Sequence, residues 1–168
     1  MAGLMAAPTP RLRPIDDADV PVVLDLNERD VELLSPLDAD RLEQLRGWAD
    51  RADVIDVDGD VAGFVITFAP GTAYDSPNYT WFGERYGTDF AYLDRIVIAE
   101  PFRRRGLGRF VYDELEGAAR PRGRMTLEVN VDPPNVGSLA FHAARGYAEV
   151  GRQGEPGHLV ALMAKPLS

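Results

Sequence analysis

Cysteine is absent from the 168 residues. That excludes disulfides, thiolate nucleophiles and Cys-ligated zinc, and it makes a reducing, cytoplasmic compartment the expectation. Histidine is nearly absent: His142 and His158 are the two present, too few for a His-based metal site, so no metal is expected. Basic residues number 18 against 27 acidic ones, a formal net charge of −9, and the averaged field repels phosphates; neither a nucleic acid nor an anionic membrane is an expected partner. No apolar run approaches the ~18 residues of a membrane span. The opening residues 1–8 carry no positive charge, and Pro8 and Arg11 close the apolar stretch too soon for a signal peptide. What is present is 45% hydrophobic residues, enough for one domain that hides roughly two-thirds of its unfolded surface.

The expected organisation is a flexible N-terminus at 1–10 and a single domain over 11–168. A short strand at Arg11–Ile15 precedes a helix over 18–29, with Asp16 and Asp17 as N-cap residues and Pro21 in the first turn. A second helix uses Leu37, Leu42, Leu45 and Trp48. Asp58-Gly59 joins Val54–Val57 to Val61–Phe68 as a hairpin. From Ala69 to Asp89 periodicity fails, and aromatics lie among turn formers in what reads as a long loop. Strands follow at Phe90–Ile98, Met125–Val131, Tyr147–Gly151 and Leu159–Ala164. Helices follow at Leu107–Ala119, with Leu107, Phe110, Val111 and Leu115 as a stripe, and at Val136–Arg145, capped by Gly146. This is an α/β pattern around a mixed sheet.

Every basic residue but Lys165 is arginine, and Arg103, Arg104, Arg105 and Arg109 fall within seven positions. Gly106 and Gly108 stand where the loop becomes a helix. Such a turn offers unpaired N–H groups at the positive end of a helix dipole, glycine admits a phosphate close to the backbone, and arginine adds charge-assisted bonds. The segment predicts an anion cradle, for a pyrophosphate. A P-loop would need Lys-Ser/Thr where Arg109-Phe110 stand, and a dinucleotide fingerprint needs a small residue where Val111 stands. A solvated arginine run is disfavoured, because cations at that helix end oppose the dipole unless an anion is bound.

Arg103-Arg-Arg-Gly106-Leu-Gly108 after the strand Leu93–Ile98 resembles the Arg/Gln-x-x-Gly-x-Gly/Ala signature of the GNAT superfamily of N-acetyltransferases. Asn135-Val-Gly-Ser138-Leu-Ala-Phe141-His142-Ala-Ala-Arg-Gly146-Tyr147 resembles that family's second motif. Ser35-Pro-Leu, Tyr74-Asp-Ser-Pro-Asn78 and Tyr92-Leu-Asp-Arg-Ile96 resemble pieces of a bacterial branch of predicted acetyltransferases. The resemblance implies a mixed, mostly antiparallel sheet of about six to seven strands flanked by about four helices, with the fourth and fifth strands splayed. It implies acetyl-CoA as co-substrate: the backbone of Ile96, Val97 and Ile98 on the pantetheine, the loop Arg103–Arg109 with Leu107 on the pyrophosphate, and Asn135, Ser138 and Phe141 on the arm. The acceptor would be a small-molecule or protein amine, with a homodimer left open.

An alkylamine near pKa ~10 must lose a proton before it attacks. Two strand carboxylates, Asp94 and Glu128, are candidate bases, the alternative being salt bridges to nearby arginines. His142 occupies the family's Tyr position and is the candidate acid for the leaving thiolate, or else a contact residue. His158 reads as a surface residue. Tyr74, Asp75, Asn78, Trp81 and Phe82 are expected to form part of the acceptor wall, since aromatics with a carboxylate suit a cationic amine; the competing reading is that they pin the loop to the core. Transfer of acetyl to an amine in a ternary complex is the leading expectation. A non-catalytic acyl-CoA-binding module with a degenerate site is the other.

Overall fold

The computed structural model describes residues 9–30 and 34–168. Seven strands form one sheet, β1 (Pro10–Pro14), β2 (Arg51–Val57), β3 (Asp60–Phe68), β4 (Ala91–Ile98), β5 (Arg124–Asp132), β6 (Ala148–Glu155) and β7 (His158–Pro166), in the order β1-β2-β3-β4-β5-β7-β6. All neighbours are antiparallel except β4 and β5. Five helices complete it: α1 (Val20–Arg29), α2 (Ala39–Trp48), α3 (Pro77–Tyr86), α4 (Leu107–Ala119) and α5 (Val136–Arg145). Of the segment 1–10, residues 1–8 lie outside the described residues, and Pro10 is already paired in β1.

Alternation along the strands sorts the core into two layers. Phe64, Ile66 and Phe68 of β3 pack with Val23, Leu26, Leu42, Leu45, Tyr79 and Phe82 from α1, α2 and α3. Val65 of β3 and Met125, Leu127 and Val129 of β5 pack with Leu107, Val111, Tyr112 and Leu115 of α4. Residues 126, 128 and 130 therefore face the α1–α3 side, the alternation expected of the fifth strand.

One sequence expectation is corrected. The stretch from Ala69 to Asp89 contains α3 and is not a loop throughout. Ser76 caps it by accepting from the Tyr79 N–H, Pro77 takes the first helical position, and Gly87, at φ 65°, ends it. Tyr79 and Phe82, three residues apart, form its buried face. The aromatics that suggested broken periodicity are a helical stripe shortened to ten residues.

β4 and β5 pair in parallel at Ala91↔Met125 and Tyr92↔Thr126 and then part. Near the fork, Ile66 pairs with Arg95 and Thr67 with Leu93, so Asp94 is the extra residue of a bulge. A bulge sharpens local twist and re-aims side chains. The splay opens a cleft in the middle of the sheet.

Candidate active site

The cleft is about 710 Å³. Ile96, Val97 and Ile98 of β4 form one wall, Glu128 and Asn130 of β5 the other, and Gly108, Tyr112, Asn135, Ser138, Phe141 and His142 close the α4–α5 side. At its mouth Gly106 adopts φ 78° as the N-cap of α4, with no side-chain cap. The Phe110 N–H takes the Gly106 carbonyl; the preceding N–H groups of the first turn have no partner within the helix. A Cβ on Gly108 would point at Ile98 and Phe141, 3.9 Å from each, so the missing side chain is cleft space. Arg103 and Arg104 line the mouth. Arg103 donates through Nε to the Ile98 carbonyl at 3.0 Å and pairs with Glu100 at 2.9 Å. Arg104 holds φ 63°, a left-handed backbone that a non-glycine residue adopts at a cost. Arg105 and Arg109 are exposed beside it, and Leu107 is buried under the helix. Positive charge, unpaired N–H groups and a glycine-walled slot fit a diphosphate ester joined to a slender arm.

The two strand carboxylates have different surroundings. Asp94 accepts from the Tyr74 hydroxyl at 2.5 Å and from Arg95 Nε at 2.7 Å, with its side chain 6% exposed. Arg95 is anchored in turn by the Asn27 side chain at 3.0 Å and the Ser35 carbonyl at 3.2 Å. Asp94 thus completes a buried ion pair that ties β4 to the α1–α2 connection. Glu128 is in no ion pair among the described residues, although the Arg95 charge acts on it at longer range. The Tyr92 hydroxyl donates to its two oxygens at 2.8 and 2.7 Å. Burial, then the Asp94 charge, push the Glu128 carboxyl up to about 8, against the bonds from Tyr92 and Asn78. It still borders open cleft. A carboxyl that exchanges a proton near neutrality beside a cleft suits general-base work.

His142 lies on the α4–α5 side. Its Nδ1 is 2.7 Å from the Ser138 carbonyl, and its Nε2 is 2.6 Å from the Tyr112 hydroxyl. A carbonyl can only accept, so Nδ1 carries the proton; in the neutral ring Nε2 then accepts from Tyr112. Burial depresses the His142 pKa below its usual value and keeps the ring neutral. Both ring nitrogens are occupied, and the Tyr112 hydroxyl, which borders the cleft, gives its proton to Nε2.

The Acetyltransferase (GNAT) family model matches residues 21–147. The chain belongs to that family. Its fold is similar to Ard1 from Thermoplasma volcanium (17% identity, TM-score 0.73, covering 95% of this chain and 98% of that one). It is also similar to the ribosomal-protein-S18-alanine N-acetyltransferase from Escherichia coli (19%, 0.70, 95% and 95%). A third solved relative is spermidine N-acetyltransferase from Vibrio cholerae, in complex with CoA and spermine (17%, 0.70, 94% and 95%). Comparison with the curated proteins gave no match.

In this GNAT chain the five residues expected at the acceptor wall do not gather. Asn78 borders a cavity beside Glu128. Tyr74 lies behind Asp94, stacked on Phe68 with centroids 4.1 Å apart. Asp75 faces outward and pairs with Arg41 at 2.5 Å. Phe82 is fully buried in the core, and Trp81 packs on Gly151 of β6. Trp81 and Phe82 are turned away because α3 rotates successive residues by about 100°; Tyr74 and Asp75 precede the helix, the one stacked inward and the other paired outward. His158 is exposed at the start of β7. Asn135 caps α5 by accepting from the Ser138 N–H at 3.3 Å while bordering the cleft. Sequence reasoning missed Tyr92 and Tyr112. Tyr112 precedes Leu115, Glu116 and Ala119 by three, four and seven residues, a helical spacing that marks it as inward-facing.

Proposed function

We propose that this chain is an acetyl-CoA-dependent N-acetyltransferase that moves the acetyl group directly to an amine while both substrates are bound. The observation that carries the reading is Glu128: a carboxyl bordering the cleft at the fork between β4 and β5, bonded by Tyr92 and pushed up to about 8 by burial. When bound, acetyl-CoA supplies the acyl group as an activated thioester. The N–H groups of residues 107–109, with Arg103 and Arg104, hold its diphosphate. The backbone of Ile96–Ile98 and the Asn135 side chain hold the arm, and Phe141, 38% exposed, covers it. Glu128, once ionised, takes the proton from the attacking nitrogen, directly or through one water. Tyr92 fixes the carboxylate in place. On the other side the Tyr112 hydroxyl borders the cleft; to protonate the departing sulfur it turns its one proton from His142 Nε2 towards the cleft.

The solved relatives include acetyltransferases of an alanine N-terminus and of spermidine, which supports amine acylation. The test is acetyl-CoA-dependent thiol release across a panel of amines, wild type beside Glu128→Gln. Release that the Gln variant loses by about a hundredfold or more supports the reading. CoA binding with no release on any acceptor would instead identify an acyl-CoA-binding module.

A further inference from the structure

Part of the charge at the cradle is already in use. Within Arg103–Arg109 the ion pairs formed with described residues all belong to Arg103. Its Nε donates to the Ile98 carbonyl at 3.0 Å, its Nη1 to Glu100 at 2.9 Å, and its Nη2 to Asp30 Oδ2 at 3.5 Å. Glu100 is 80% exposed and outside the cleft wall, whereas Asp30 and Arg103 both border the cleft. The bond on the cleft side of this guanidinium is thus the one to Asp30.

Asp30 stands where the electrostatics of its own helix oppose it. It is the C-cap of α1, at the negative end of the dipole, and a carboxylate there is unfavourable unless a cation stands against it. Arg103 is that cation. Both partners are also placed by separate bonds. Asn27, fully buried in the last turn of α1, meets Arg95 Nη1 and the Ser35 carbonyl at 3.0 Å each and ties that turn to β4; the Ile98 carbonyl holds Arg103. A diphosphate on the first turn of α4 brings a second anion to the side of the guanidinium that Asp30 holds, and like charges brought together there repel.

We propose that Asp30 is a built-in competitor for the cofactor: its ion pair with Arg103 opens when the diphosphate binds, so this residue sets the affinity for acetyl-CoA and for the product CoA alike. The proposal rests on the cradle assigned to residues 107–109 with Arg103 and is independent of which amine accepts. Once displaced, Asp30 turns to the water that its side chain, 29% exposed, already touches. A partly exposed pair is cheap to open, so the competition is worth about two- to fivefold in affinity and leaves binding possible.

The experiment titrates CoA by calorimetry into wild type, Asp30→Asn, Arg103→Gln and the double variant, at low and at high salt. Asparagine keeps the size of the side chain and removes its charge. Asp30→Asn is expected to tighten CoA binding about threefold at low salt and by less at high salt. Arg103→Gln is expected to weaken it about fivefold or more. The deciding quantity is the gain from Asp30→Asn in the Arg103→Gln background. It is expected to fall below about 1.5-fold, because the pair that had to open is already gone. A gain as large there as in the wild-type background means that Asp30 acts on the phosphates by repulsion alone, and overturns the proposal. So does an Asp30→Asn variant that binds CoA no more tightly than wild type. Glu28→Gln removes the same charge from α1 at an exposed position, and a gain equal to that of Asp30→Asn would assign the effect to net charge and overturn the proposal as well. These outcomes leave the transferase reading intact. Wild-type chain that binds no CoA at all overturns the cradle and the transferase reading, and the competition with them.

Discussion

At the scale of single residues, Glu128 gives opposite pH signatures in activity and in stability. Glu128 works as a base when ionised, so kcat/KM is expected to rise with pH and level off above about 8. The same shift acts on stability with the reverse sign. A carboxyl whose folded pKa lies above its unfolded value favours folding at low pH, and that contribution is lost as pH rises through about 8. Glu128→Gln removes the cost of burying the charge. It is expected to lose the rising limb and about a hundredfold or more in kcat/KM, yet to melt higher than wild type above pH 8. A variant that loses both activity and stability at alkaline pH would contradict the assignment. For the Tyr112–His142 pair, Tyr112→Phe is expected to lower kcat about tenfold with little change in the acetyl-CoA KM. His142→Phe leaves the tyrosine proton in place and is expected to cost less. The comparison is read from saturating kcat for both variants; a larger loss in the histidine variant would return the acid role to His142.

At the scale of elements, the parts with fixed chemistry at their ends were legible. Asp58-Gly59 announced the β2–β3 turn, and the strand–arginine–glycine–helix run announced the β4–α4 junction. α3 was not legible. Its signals were Ser76-Pro77 at the start and Gly87 at the end, but only ten residues separate them, and their buried face is aromatic where Leu or Ile would read as helical. That misreading scattered the expected acceptor wall, while Asn78, chosen for its place in that stretch, does reach the cavity. That Asp94 can pair with the adjacent Arg95 was legible in the sequence; that Glu128 finds Tyr92 across the fork was not. Two element-level outcomes follow. Ser76→Ala, which deletes the α3 cap, is expected to cost about 1 kcal/mol in a denaturant melt. Gly108→Val adds a side chain into space bounded by ordinary contacts at 3.9 Å, so the fold survives. The acetyl-CoA KM is expected to climb about tenfold or more, because the diphosphate loses its approach to the helix end; titration of CoA into the variant checks it, and unchanged binding would move the cradle elsewhere.

At the scale of the whole molecule, the fork divides the sheet. β1 to β4 with α1, α2 and α3 form one part, and β5, β7 and β6 with α5 form the other, joined in the sheet through two residue pairs. α4 spans the division by packing on both β3 and β5. On the second part Glu116 of α4 receives Arg145 of α5 at 2.7 Å, Lys165 of β7 at 2.6 Å and the Tyr147 hydroxyl at 2.9 Å. The remaining gap in the sheet is the cleft, and a ligand that bonds β4, α4 and α5 at once closes it. Saturating CoA is thus expected to stabilise the chain as a unit. At a hundred times its Kd the gain is about 2.7 kcal/mol, which for a domain of this size raises Tm by about 5–10 °C. On the proposed cradle the effect runs through phosphates on arginines in a chain of net charge −9, so it is expected to weaken as salt screens the local attraction. Added salt is meanwhile expected to raise the ligand-free Tm by relieving the self-repulsion of that net charge. Thermal melts with and without CoA at low and high salt separate the two trends. A CoA-induced shift that grows with salt would mean that the ligand is held by apolar contact with Phe141 and the strand walls, and that the arginine loop is not its anchor.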